Sequence, residues 1–174
     1  MTVNRILAMA LALAMTPVAA LAGPKAIVFP FDLIDESQPQ YEIGVMPKGI
    51  SDEEKRRLAL ITGELTKLLK DGGRYDVVDS APIAKEIDDK SPMYKCNGCE
   101  DDLAKKVGAE VAFIGTVRKA SDVLFTVSVY VRDVGQEKVT RQASGEIYGN
   151  TDAMWLRAVR YIVQKRLFPE GASQ

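Results

Sequence analysis

The stretch LAKKVGAEVAFIGTVRKASD, residues 103–122, joins the end of a helix directly to a strand. The helix is predicted to run from about Gly98 to Val107, with acidic residues in its first turn and two lysines in its last, as the helix dipole favours. Gly108 is the predicted C-terminal stop, and the apolar run that starts at Val111 is typical of a buried strand. This succession indicates helices packed on a sheet.

Two further strands and a helix follow, at residues 122–134, 138–149 and from about residue 151. Short connections at residues 120–122 and 135–137 predict consecutive antiparallel hairpins. Thr151 or Asp152 is the expected N-cap of the last helix. The middle strand alternates, with Val123, Phe125, Val127, Val129 and Val131 on one face and Leu124, Thr126, Ser128, Tyr130 and Arg132 on the other. The last helix carries an apolar stripe of Trp155, Val159, Ile162, Val163 and Leu167.

The first part of the chain supplies the remaining elements. Residues 25–35 are predicted to form one buried strand with Pro30 at an edge or bulge, and residues 36–50 form a long loop. Ser51 and Glu54 have the spacing of a capping box, and this helix ends at Gly72-Gly73. A strand at 75–80 and a helix at 81–89 follow. The predicted fold is α/β (α+β), with a mixed β-sheet, the order β-α-β-α-α-β-β-β-α and helices packed on the sheet.

The N-terminal segment, residues 1–22, has the layout of a secretory signal peptide. Arg5 precedes an apolar run at residues 6–15, and small residues lead to a cleavage site between Ala22 and Gly23. The run is shorter than the roughly 20 apolar residues of a spanning helix. We therefore expect an exported, periplasmic protein with a single domain at residues 23–174.

Composition excludes several classes of function. The chain has no histidine, so catalysis by Ser-His-Asp or Cys-His groups and metal or haem sites built on imidazole are excluded. Without Arg5, 22 basic residues stand against 24 acidic ones. This balance gives no electrostatic case for nucleic acid or for an anionic membrane, and no later segment is long and apolar enough to insert.

Cys96 and Cys99, in the motif CNGC, are the two cysteines of the chain. In an oxidising periplasm they are expected to form a structural disulfide. A redox-active dithiol is the alternative, because a helix N-terminus stabilises a thiolate, but the acidic residues at 100–102 oppose this effect. Metal binding is a third and weaker interpretation. Covalent haem is excluded because Glu100 stands where that motif needs histidine.

The other chemical groups indicate no further site. Asp32, Asp35 and Glu36 after the first strand, with Asp88 and Asp89, match no EF-hand spacing, so no metal or cofactor is expected. No catalytic residue is assigned, and an enzyme is the less favoured interpretation. The aromatic residues, which are Tyr130, Tyr148, Trp155 and Tyr161, are expected to pack in the core or at its rim.

The chain contains four motifs in this order: KAIVFPFDL, LLKDGGRYDVVD, LAKKVGAEVAFIGTVRKASD and VYVRDVGQEKV. Together they resemble small secreted proteobacterial proteins of unknown function, which are similar to the N-terminal α/β domain of TolB and to the domain of the curli-secretion lipoproteins. The resemblance covers nearly all of residues 23–174. It implies that Gly73, Gly108 and Gly115 make turns or close approaches and that Ala109 and Val111 enter a core strand.

Two functions remain. The preferred one is a non-enzymatic periplasmic binding or adaptor module whose sheet edge, or whose loop at residues 36–50, engages a protein or a small ligand. The family resemblance adds an accessory role in an envelope or quinoprotein alcohol-oxidation system. The alternative is a thiol-disulfide protein acting through Cys96 and Cys99.

Overall fold

A computed structural model describes residues 23–37 and 49–169. The predicted signal peptide and residues 38–48 of the predicted loop lie outside the described residues, as does Ala22 of the expected cleavage site. Gly23 is described, and a Cβ placed on it would lie 2.2 Å from the Arg74 carbonyl oxygen, so a larger residue would not fit there.

The strands are β1 (Lys25–Val28), β2 (Asp32–Asp35), β3 (Asp76–Val77), β4 (Val111–Lys119), β5 (Leu124–Asp133) and β6 (Lys138–Tyr148). The α-helices are α1 (Asp52–Asp71), α2 (Ala84–Lys90), α3 (Cys99–Lys106) and α4 (Asp152–Tyr161). Short 3-10 turns at Ala81–Ile83 and Met93–Lys95 precede α2 and α3, and a π-helical segment, Ile162–Leu167, continues α4.

The strands form one mixed sheet in the order β3-β1-β4-β5-β6, and β2 also pairs with β4. Strand β1 pairs in parallel with β3 and β4, and β2 pairs in parallel with β4, whereas β4-β5 and β5-β6 are antiparallel hairpins. The predicted fold class and the predicted hairpins are confirmed. Consequently β6 is an edge of the sheet.

The prediction of one continuous strand over residues 25–35 is wrong. Val28 pairs with Phe113 of β4, and Asp32 pairs with Thr116 of β4. Asp32 is four residues after Val28, whereas Thr116 is only three residues after Phe113, so this segment has one residue more than the part of β4 that it pairs with. The extra residue is a bulge around Pro30, which is exposed. The bulge places the buried Phe31 ring against β4, and the Phe31 N–H donates to Thr62 Oγ1 at 3.0 Å.

The predicted helix caps are confirmed. Ser51 and Glu54 form a complete capping box at the start of α1, and Thr151 caps α4 by accepting from the Met154 N–H. Val123 does not join the buried face of β5, because it lies in the turn before the strand and is 61% exposed. Trp155 is fully buried.

Helices cover the two faces of the sheet unequally. The larger core lies under α1 and α4, where Trp155 and Phe125 pack with their ring centroids 5.5 Å apart. On the second face α2 and α3 cover β1 and the first half of β4 with a smaller core that includes Phe29 and Leu103. This unequal cover leaves the second face of β5 and β6 open beside the Met93–Lys95 turn.

Candidate functional site

The open part of the second face forms a trough of about 490 Å³. Its floor is made by β4, β5 and β6, and one wall is made by the Met93–Lys95 turn and the start of α3. The lining residues are Ile34, Met93, Tyr94, Glu100, Ile114, Thr116, Arg118, Thr126, Ser128, Tyr130, Arg132, Val139 and Ser144. We call this feature the trough.

Hydroxyl groups form the centre of the trough floor. Thr116 pairs with Ser128 and Ser128 pairs with Ser144, so one row crosses three strands on the same face. The Ser128 and Ser144 hydroxyls are hydrogen-bonded at 2.8 Å. Thr126 lies two residues from Ser128 on the same face. The floor therefore offers hydroxyl donors and acceptors, with both apolar residues such as Ile34 and charged residues such as Arg118 around them.

Asp32 lies at the β2 end of this row, paired with Thr116. Its carboxylate accepts the Tyr94 N–H at 3.1 Å. Burial raises the pKa of Asp32 above the ordinary aspartate value, and the bonds from the Tyr94 and Met93 backbones only partly oppose this effect. The charged form of Asp32 is thus less favourable in the folded protein than in the unfolded chain.

The raised pKa of Asp32 predicts how the effect of Asp32→Asn on the stability of the folded protein depends on pH. Above the folded-state pKa the ionised carboxylate lowers the stability of the folded protein, and this cost disappears as the pH falls below the unfolded-state pKa. We expect Asp32→Asn to raise Tm slightly at pH 7 and to leave it unchanged near pH 3. Thermal melts followed by circular dichroism at both pH values measure this. A lower Tm at pH 7 would contradict the prediction.

A buried ion pair holds the opposite corner of the trough. Arg132 donates from Nε to Asp101 Oδ1 at 2.7 Å and from Nη2 to Asp101 Oδ2 at 2.5 Å. Nη2 also donates to the Glu137 carbonyl oxygen, and the Glu100 carboxylate lies 3.5 Å from Nε. Asp101 is 2% exposed, and the hydrogen bond to it raises the pKa of Arg132. This pair fixes the first turn of α3 to β5.

The CNGC motif adjoins this corner. The Cys96 and Cys99 Sγ atoms are in direct contact, their Cα atoms are 5.3 Å apart, and both residues are half-buried. The Glu100 carboxylate accepts the Gly98 N–H at 2.8 Å and lies within 4.8 Å of both sulfurs. Glu100 therefore connects the cysteine pair to the wall of the trough.

The acidic residues considered as cation ligands have separate partners. Asp35 accepts the Ser37 N–H and hydroxyl, Asp89 pairs with Lys85 at 2.6 Å, and Asp32 accepts the Tyr94 N–H. Among residues 23–37 and 49–169, the potential ligands that lie together are those of Cys96, Cys99 and Glu100.

Sequence reasoning missed the trough, although one signal for it was visible. The alternation of β5 in the sequence places Thr126, Ser128 and Arg132 on the face opposite the valines. The partners of these residues on the neighbouring strands depend on register, which a single sequence does not show. The expectation that the aromatic residues pack in the core or at its rim holds for Trp155 but is wrong for Tyr148, which is 68% exposed. Tyr161 is also exposed, and Tyr130 is half-buried and lines the trough.

Solved structures share this fold at low sequence identity. The PelC dodecamer from Paraburkholderia phytofirmans matches with a TM-score of 0.52 and 14% identity, over 82% of this chain and 86% of that chain. The LpoB C-terminal domain from Escherichia coli matches with a TM-score of 0.50 and 16% identity, over 72% of this chain and 83% of that chain. TolB from Acinetobacter baumannii matches with a TM-score of only 0.40 and 13% identity, over 82% of this chain and 28% of that chain. The first two matches show the fold alone.

No curated protein matches the chain. Within the described residues, none of the helices combines the length and apolar character needed to cross a membrane. A family model, DUF3280, described as a protein of unknown function (DUF2380), matches residues 24–167. The resemblance to a family of unknown function is thereby confirmed, and the chain belongs to the family of proteins of unknown function that this model describes.

Proposed function

We propose that this chain is an exported periplasmic binding or adaptor module without catalytic activity, and that the trough binds its ligand or partner. The observation that carries this proposal is the concave, hydroxyl-floored surface left open by the unequal helix cover. The set of groups around it suits recognition, since polar donors and acceptors are fixed between Ile114, Met93 and the ring of Tyr94.

The floor chemistry favours binding over catalysis. The Ser128 and Ser144 hydroxyls are bonded to each other, so each is held as part of a hydrogen-bonding surface. A serine nucleophile instead needs a base within hydrogen-bond reach, most often an imidazole, and this chain has no histidine. Recognition through hydroxyls and aromatic rings requires no such base.

The location and the role are further parts of the proposal. The layout of residues 1–22 supports export to the periplasm, with cleavage before Gly23 and a single mature domain at residues 23–174. The resemblance to envelope proteins supports an accessory role in an envelope or quinoprotein oxidation system. The partner is then a periplasmic protein or a small ligand that reaches the trough from solvent.

The proposed binding function is tested by filling the trough with a bulky side chain. Ser144 is exposed on the floor, so Ser144→Trp adds bulk there, and Lys90→Trp adds the same bulk at the exposed end of α2 as a control. Small molecules are screened by thermal shift, and periplasmic proteins are screened by cross-linking. We expect compounds or proteins that bind the wild type and Lys90→Trp but not Ser144→Trp. Equal binding to both variants, or no binder at all, would count against the proposal.

A thiol-disulfide function is the second candidate. It is favoured by the contact between the Cys96 and Cys99 sulfurs at the start of α3. It is opposed by the Glu100 carboxylate beside both sulfurs and by the acidic residues that follow, because negative charge destabilises the thiolates of the reduced form. We infer that Cys96 and Cys99 form a structural disulfide.

This inference predicts a bond that resists reduction. We expect a reduction potential below about −300 mV, in the range of structural disulfides, measured by equilibration with thiol buffers. Replacing both cysteines by serine should cost about 2 kcal/mol for so short a loop and leave trough binding measurable well below Tm. A potential near that of known periplasmic oxidants, together with an unchanged Tm in the double variant, would support the redox function instead.

A further inference from the structure

We propose that the outer edge of β6 accepts an extended acidic segment of a partner protein as an additional strand. The edge adjoins the trough at Ser144, but the proposal does not depend on a trough ligand. Strand addition at an open sheet edge is a common mode of peptide recognition, in which backbone hydrogen bonds supply affinity and side-chain contacts supply specificity.

The first support is the length and regularity of the edge. β6 has 11 residues and is the last strand of the sheet, and no described strand pairs with its outer side. The pairing of β6 with β5 has one irregularity, near the start of β6, where Val131 of β5 pairs with Arg141 and Arg132 of β5 pairs with Val139. Residues 141–148 of β6 therefore pair regularly with β5. Edges are usually protected by lysine, proline or bulges, whereas the segment Ala143, Ser144 and Gly145 is small and uncharged.

The second support is the shape on both sides of this segment. On the face of the sheet that α1 and α4 cover, a groove of about 560 Å³ lies beside Gly145. Arg157, Tyr161 and Arg166 line this groove. On the second face, the same segment borders the trough at Thr126 and Ser144. Side chains of a strand alternate between faces, so an added strand would place alternate residues into the groove and over the trough.

The third support is charge. Within the described part of the chain, none of the ion pairs includes Arg157 or Arg166, and the Arg166 guanidinium lies 5.6 Å from the centre of the Tyr161 ring. Arg141, which lies on β6, adds a further positive charge. The groove lining contains one carboxylate, that of Glu146. Since the whole chain has a net charge of −1, this basic band is a local feature that suits glutamate or aspartate.

The same charges disfavour a second copy of this chain as the occupant. Two β6 edges paired antiparallel would be related by an axis perpendicular to the sheet, which would place both α4 helices on the same face. Arg157 and Arg166 of the two copies would then face each other across the joined edge. Like charges so placed weaken association, so an acidic partner is the better occupant.

The test uses a fluorescent nine-residue peptide that alternates glutamate with valine, and a matched peptide that alternates lysine with valine. We expect the glutamate peptide to bind at least about tenfold more tightly, with weaker binding at higher salt. Hydrogen exchange should show new protection of amides within residues 141–147 when it binds. Arg157→Glu combined with Arg166→Glu should reverse the preference between the peptides.

The matched control is Lys70→Glu combined with Lys90→Glu, which makes the same charge change at exposed helix ends away from β6. This control should bind both peptides as the wild type does. Circular dichroism confirms that every variant is folded. The proposal is overturned if the glutamate peptide fails to bind, if both peptides bind equally, or if protection appears only outside β6. Concentration-dependent dimers with protected β6 amides would identify a second copy as the occupant and also overturn it.

Discussion

Gly115→Ala is expected to destabilise the protein by about 3 kcal/mol, at the upper end of the usual cost of overpacking a core. A Cβ placed on Gly115 would lie 2.4 to 2.5 Å from three atoms of the Phe31 ring. The ring is 3% exposed and is held there by the bulge between β1 and β2, so it has little room to move. The strand or the ring must shift to admit even one methyl group.

Urea unfolding of matched variants measures this effect. Gly63 lies within α1, and apart from its chain neighbours and the backbone of its own helix no atom lies within 4 Å of the position that an added methyl group would take. Gly63→Ala should therefore stabilise the protein by about 0.5 to 1 kcal/mol. In a Phe31→Ala background, Gly115→Ala should cost much less than in the wild type, because the clash partner is gone. Additive costs of the two substitutions would show that the ring and the glycine do not compete for the same space.

Much of the fold could be predicted because its signals are local. The capping box of Ser51 and Glu54, the alternation of β5 and the glycine after α3 each lie within a few residues of the feature they specify. The role of Gly115 as a close approach followed from family resemblance. The division of residues 25–35 into two strands could not be predicted, because a bulge is a mismatch with the paired strand and β4 lies about 80 residues away in the chain.

The candidate site could be predicted only in part, for the same reason. The proximity of Cys96 and Cys99 follows from their spacing, and the polar face of β5 follows from its alternation. The hydroxyl row needs the register of three strands, and the pair of Asp101 with Arg132 joins residues 31 positions apart. In the sequence Asp101 is simply one of three acidic residues in a first helical turn, and nothing local marks it as buried.

Asp101→Ala is expected to cost about 3 to 5 kcal/mol, the range observed when one partner of a buried ion pair is removed. Arg132 is 15% exposed at its side chain and would keep only the Glu100 carboxylate at 3.5 Å and the Glu137 carbonyl oxygen. It would lose both of its shortest hydrogen bonds to a carboxylate. The guanidinium would then remain largely desolvated and poorly paired.

Asp102→Ala is the matched control, because Asp102 lies in the same helical turn but is exposed. It should cost at most about 1 kcal/mol, the value of a charge near a helix N-terminus. Replacing the pair together, with Asp101→Leu and Arg132→Met, should recover much of the loss, since apolar residues of similar volume remove both buried charges. Urea unfolding at pH 7 compares all three variants, and equal costs for Asp101→Ala and Asp102→Ala would contradict the prediction.

The Asp101 pair also connects stability to binding. It fixes α3 to β5 at the corner where Glu100 and the Met93–Lys95 turn form the wall of the trough. When the pair is lost, we expect that wall to loosen before the rest of the sheet, because α3 has only eight residues and few other charged contacts to the strands. Hydrogen exchange of Asp101→Ala well below its Tm should therefore show faster exchange in α3 while the β4 and β5 amides stay protected. Uniformly faster exchange would instead mean that the pair stabilises the whole domain as one unit.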